Sequence, residues 1–169
     1  MQEEREAFAA FVRRVPVSIL TAVEPLPYVR VLSDEDADWA WTVVEQAWGV
    51  ERHQRWYPLR GRRPAHVEAF EDRHLLEAVS VERFRALLAD RGVERVWDLR
   101  EDGPARERDV STFAPRYDWW ETVASSSRPD WIVYASHESS ITVGGWLLDA
   151  VKREWPEWHR HVWTTPFFD

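Results

Sequence analysis

WIVYASHESSITVGGW, residues 131–146, decides how this chain folds. Successive side chains of a strand point to opposite faces, so Trp131, Val133 and Ala135 share one face of WIVYAS and Ile132 and Tyr134 the other. Both faces are apolar, which places the strand centrally in a sheet covered on both sides. HESS is polar, as a hairpin loop requires, and ITV (141–143) returns antiparallel. With Glu138 and Ser139 as a two-residue turn, His137 lies opposite Ser140 and Ile141 opposite Ser136. Gly144 and Gly145 then allow a sharp strand-to-helix turn or a close backbone approach.

Working outward, VERVWDLRE (93–101) alternates as a strand, DGPARERD (102–109) reads as a turn, and YDWWETVAS (117–125) as another strand. YVRVL (28–32) and VEAFE (67–71) are further strands, and VSILTAV (17–23) has strand composition. Short connections between the C-terminal strands predict an antiparallel meander. Helices are predicted over 2–14, 33–49, 80–92 and 145–155, with a short helix or turn at 73–80. Ser33 and Ser80 stand where N-caps belong, acids at 34, 35 and 36 suit the positive helix end, and Gly49 and Gly92 supply stops. The expected fold is α+β: an antiparallel sheet of about four to six strands with helices packed on it, in a single domain over 1–169.

Composition narrows the function classes. The chain has 169 residues and no cysteine, which removes disulfides, thiolate nucleophiles and cysteine-ligated metals. That absence suits a reducing compartment, and the charged N-terminus lacks the order of a signal peptide, so a cytoplasmic location is expected. No apolar run reaches the roughly 18 residues of a membrane span. A net charge of −8 repels nucleic acid and anionic lipid and attracts a basic partner. The chain holds twelve tryptophans, a residue that suits both the core and contact surfaces. Most are expected in the core, with Trp119 and Trp158 as contact candidates.

Four groups of residues invite a chemical reading. His137 and Glu138 form a possible acid/base or metal-binding pair, but HESSI lacks the second histidine of a zinc helix, and alternation separates Ser136 from His137. The plainer reading is a polar hairpin tip. His159 and His161 share a side if their segment is extended and then need a third metal ligand, such as His137 or Glu157; in a helix they diverge. ERHQRWYPLRGRRPAH (51–66) is read as an irregular basic loop in which Trp56, Tyr57, Arg60, Arg62 and Arg63 could contact an acidic group. Gly144 and Gly145 could hold an anion on backbone N–H groups, although no complete phosphate-binding motif accompanies them. No G-x-S-x-G elbow is present, and no cofactor motif is found.

Residues 130–158, read as D-W-I-V-Y-A-S-H-E, a hairpin, G-G-W-L-L and W-P-E-W, resemble the C-terminal part of small uncharacterised bacterial proteins, some from toxin-immunity neighbourhoods. The resemblance implies a strand–hairpin–helix unit and no reaction. The expected function is a non-enzymatic binding protein, an immunity-type inhibitor of a basic protein partner. The alternative is an enzyme or small-ligand protein with a pocket around His137 and Glu138.

Overall fold

A computed structural model describes residues 28–60 and 62–164. The helix expected over 2–14 and the strand over 17–23 lie outside the described residues. Among the described residues seven strands form one antiparallel sheet: β1 (Val29–Val31), β2 (Val67–Glu71), β3 (Arg95–Arg100), β4 (Arg106–Asp109), β5 (Thr122–Ser125), β6 (Trp131–Ser136) and β7 (Ser140–Gly145). Their spatial order is β1-β4-β3-β5-β6-β7-β2. Among the described residues four α-helices pack on the sheet: α1 (Asp34–Trp48), α2 (Asp72–Ala78), α3 (Val81–Asp90) and α4 (Trp146–Glu154). The class is α+β as the patterning predicts, with somewhat more strands. Among the described residues no helix is long and apolar enough to cross a membrane.

β6 is central, and its two faces feed two cores. Trp131, Val133 and Ala135 pack with Phe70, Leu75, Phe84, Leu88, Leu147 and Val151, under α2, α3 and α4. Ile132 and Tyr134 pack with Ala40, Trp41, Val44, Trp56 and Leu99, under α1 and the loop that follows it. Burial on both faces is why WIVYAS carries no polar alternation until Ser136.

The helix ends follow local chemistry. Ser33 Oγ accepts from Asp36 N and Ser80 Oγ from Arg83 N, both at 3.2 Å, so each hydroxyl satisfies one orphan N–H of a first turn. Gly49 sits in the left-handed region at φ 67°, with its N–H on the Glu45 carbonyl.

Three sequence-based expectations need correction. The β6–β7 register pairs Ser136 with Ser140 and Ala135 with Ile141, one position from a two-residue turn. His137, Glu138 and Ser139 all belong to the loop, which closes with Ser139 at φ 54°, the three-residue form that needs a left-handed last position. RERD is a strand and not part of a turn: β4 is held between β1 and β3 in spite of having no apolar residue. The strand expected from 117 begins only at Thr122; Tyr117–Glu121 crosses the sheet end irregularly.

The outer edge of β2 is covered in part by the tail. Phe70 bridges to Val162, Glu71 N donates to the His161 carbonyl at 3.2 Å, and Trp163 N donates to the Ala69 carbonyl at 2.8 Å. Such cover blunts an edge that would otherwise offer unpaired backbone groups.

Candidate functional site

At one end of the sheet the β6–β7 loop meets the segment entering β5 and the turn leaving β3. Five interactions fix the loop. The Ser136 and Ser140 hydroxyls lie 2.7 Å apart, Glu138 N donates to Ser136 Oγ at 3.3 Å, and Asp72 N donates to the Ser139 carbonyl at 3.0 Å. Trp163 Nε1 donates to the Glu138 carbonyl at 3.1 Å, and His137 N donates to Glu121 Oε1 at 3.3 Å. Ser136 is thus a loop brace, separated from His137 as alternation requires.

His137 is set by carboxylates on both sides. Its Nδ1 is bonded to Glu121 Oε1, and its Nε2 lies 3.2 Å from Glu138 Oε1. Only the Nδ1 contact is a hydrogen bond; Glu138 lies beside Nε2 without hydrogen-bond geometry. Glu121 is buried, and its second oxygen, Oε2, has no hydrogen-bond partner among the described residues. Beneath it Tyr134 accepts a hydrogen bond from Trp56 N at 3.3 Å. Burial, and then the neighbouring Glu121 carboxylate, hold the Tyr134 phenol far above its ordinary value, so it remains neutral.

Above this base lies a shallow hollow of about 390 Å³, lined by Arg55, Glu101, Asp102, Glu121 and His137 with Tyr117, Trp119 and Trp120. Burial and then the charges of Glu121 and Asp102 raise the Glu101 carboxyl above the usual carboxylate range. Three acids face one arginine here. Tyr117, Trp119 and Trp120 account for three of the five exposed large hydrophobic side chains among the described residues. Trp119 is 85% exposed, and its backbone is left-handed at φ 63°, a costly conformation for a bulky residue.

The other sequence candidates have different surroundings. Trp56 is buried, edge-on to Tyr134 at 6.0 Å between ring centres. The Tyr57 carbonyl accepts from Thr142 Oγ1 at 2.8 Å. Arg63 donates to both oxygens of buried Glu68, at 3.1 and 3.2 Å, and Arg60 donates to Gln54 Oε1 at 2.6 Å. Arg62 is exposed. Trp56, Tyr57 and Arg63 are thus tied to the sheet, while the Arg60 bond stays within the loop. Trp158 is half-buried against Phe70, with Lys152 Nζ 3.7 Å from its ring centre.

His159 and His161 are on and just after a 3₁₀ turn (Trp158–Arg160), not on an extended segment. His161 lies against His74, 4.4 Å between ring centres, and stacks on Trp155, while His159 packs on Trp158. Among the described residues no group of three or more metal-ligating side chains is placed to hold an ion. Gly144 and Gly145 serve packing and a tight turn.

Sequence reasoning found His137 and Trp119 but missed Glu101 and Glu121. The only signal for Glu121 is an acid directly before a strand and beside two tryptophans, which names no partner. The chain matches no protein-family model, and no curated protein or solved structure matches it significantly.

Proposed function

We propose that this protein is a non-enzymatic binding protein whose recognition face is the aromatic segment 117–120 over the Glu101, Asp102 and Glu121 carboxylates. Its partner is a protein that presents a lysine or arginine side chain to that hollow. The observation that carries the reading is Trp119, nearly bare to solvent on a strained backbone, beside a hollow in which acids outnumber bases. An exposed tryptophan at such a position supplies apolar area and a ring face for a cation, and the carboxylates neutralise it. The chain's charge of −8 adds long-range attraction for a basic surface. An immunity-type inhibitor masking a basic enzyme is the form of this function that the charge favours, and the cysteine-free sequence suits a reducing cytoplasm.

The rival reading, an enzyme or small-ligand protein acting through His137 and Glu138, has buried Glu121 in its favour. Against it stand the tie of His137 Nδ1 to Glu121 and the lack, among the described residues, of a nucleophile or metal-ligand set beside His137. A short lysine- and arginine-rich peptide, titrated by NMR, separates the two. Binding should shift the indole N–H signals of Trp119 and Trp120, weaken with salt, and fall at least tenfold in Trp119→Ala. Binding unchanged in Trp119→Ala, or a peptide that leaves both indoles unmoved, would overturn the proposal.

A further inference from the structure

On the opposite face of β3 the chain builds a second site of inverse charge. Strand alternation puts Trp97 and Leu99 in the core under α1 and turns Val96, Asp98 and Arg100 toward the helices on the other side. The apolar core on that side reaches Val96 and Ala124 and stops. Beyond it Asp98, Arg100, Arg108 and Thr122 line a cavity of about 330 Å³, closed by the first turns of α3, the Val110–Thr112 turn, and Phe113 and Ala114. Arg85 and Arg116 complete the lining with Glu82 and Asp118. Four arginines against three acids leave one positive charge in a protein whose net charge is −8.

The guanidiniums are positioned but short of acceptors. Arg85 Nε donates to the Phe113 carbonyl at 2.6 Å and Arg108 Nη1 to the Thr112 carbonyl at 3.0 Å. Asp98 takes a bond from Arg108 Nη2, and its other oxygen lies 3.7 Å from Arg100 Nε, beyond hydrogen-bond range. The Arg100 side chain is 8% exposed, yet its one hydrogen bond among the described residues is a long one, Nη2 to Asp118 Oδ2 at 3.5 Å. The Nε groups of Arg100 and Arg108 are both buried without a partner among the described residues. Buried charge with donors unmet is costly, and since those two Nε groups are closed to solvent, an anion in the cavity would accept from the terminal guanidinium nitrogens of the arginines that line it.

We infer that this cavity binds the carboxylate of a small molecule whose apolar part lies against Val81, Phe113 and Ala114. A guanidinium fork matches a carboxylate in two parallel bonds, and the local surplus of one charge suits a monoanion better than a phosphate dianion. Asp118 lines this cavity while Tyr117 and Trp119 line the acidic hollow, so segment 117–122 separates two sites of opposite preference.

Benzoate and inorganic phosphate, titrated separately into the isotopically labelled full chain, test the assignment. Benzoate should shift the Nε–H signals of Arg100 and Arg108 saturably, weaken at least tenfold in Arg100→Gln, and weaken severalfold in Arg116→Gln at the exposed rim. Phosphate binding more tightly than benzoate would overturn the carboxylate assignment. Neither anion moving those two signals in the native chain would overturn the site, whether or not Arg100→Gln folds.

Discussion

Gly144 and Gly145 exclude a side chain for different reasons. A Cβ on Gly144 would stand 2.7 Å from both Ile132 Cγ2 and Val67 Cγ1, on the strands flanking β7, and 3.2 Å from Trp48 Cζ3. At Gly145 the left-handed φ of 67° and the Asp130 carbonyl both forbid one. Gly144→Ala therefore overpacks a closed core and should cost about 1–3 kcal/mol in urea denaturation. Val67→Ala removes one of the two colliding methyls, so it should recover part of that loss in the Gly144→Ala background while destabilising the native chain. Strict additivity of the two substitutions would contradict this packing account. The glycine pair was legible as a turn before a helix; the collision on its first member was not, because Val67 and Trp48 are distant in sequence. His137 shows the same limit. Its polar loop is plain in HESS, but Glu121, sixteen positions away, is what turns its ring.

Elements with local punctuation or apolar alternation are legible in the sequence, whereas β4 and the start of β5, which their neighbours decide, are not. α1 and α3 carry serine caps and an apolar stripe, signals contained within about a dozen residues. Ser33→Ala should remove the acceptor for Asp36 N and cost about 1 kcal/mol in the same assay, and Ser33→Asp should restore most of it. A loss as large in Ser33→Asp as in Ser33→Ala would mean that the hydroxyl acts through something other than the cap. β4 had no such signal. RERD is a strand because Arg108 reaches Asp98 across β3, and Glu107 takes hydrogen bonds from Tyr28 (2.5 Å) and Arg30 (2.9 Å) across β1. Charged alternation looks like a solvated turn until both neighbouring strands are known. Conversely, YDWWE has strand composition but runs across the sheet end, leaving Trp119 and Trp120 exposed. Of the twelve tryptophans, five are buried, four half-buried and three exposed, so the expected core majority holds only if the half-buried are counted with it.

At the scale of the whole molecule, Glu107 and Glu101 link pH to stability with opposite sign. Glu107 is pushed up by burial, but the bonds from Tyr28 and Arg30 and the charge of Arg95 outweigh that and leave its carboxyl below the ordinary range. A lowered folded value means that the folded state holds the proton less tightly than the unfolded chain. Its contribution is therefore full above the unfolded value and is lost as pH falls through the folded one. Glu101 is raised by burial and by Glu121 and Asp102, so it opposes folding once ionised and ceases to do so in acid. Glu101→Gln should therefore stabilise the protein near about pH 7, with the gain fading as pH drops below the carboxylate range. Glu107→Gln should destabilise it near neutrality and flatten its loss of stability in acid. Urea midpoints for the native chain and both variants, taken between roughly pH 3 and pH 8, read these slopes directly. Glu101 also lines the aromatic hollow, where its ionised form would serve a basic partner at the expense of stability. If that is its role, Glu101→Gln must weaken the lysine- and arginine-rich peptide while strengthening the fold. A variant that binds the peptide as tightly as the native chain, or more tightly, would separate Glu101 from the recognition face.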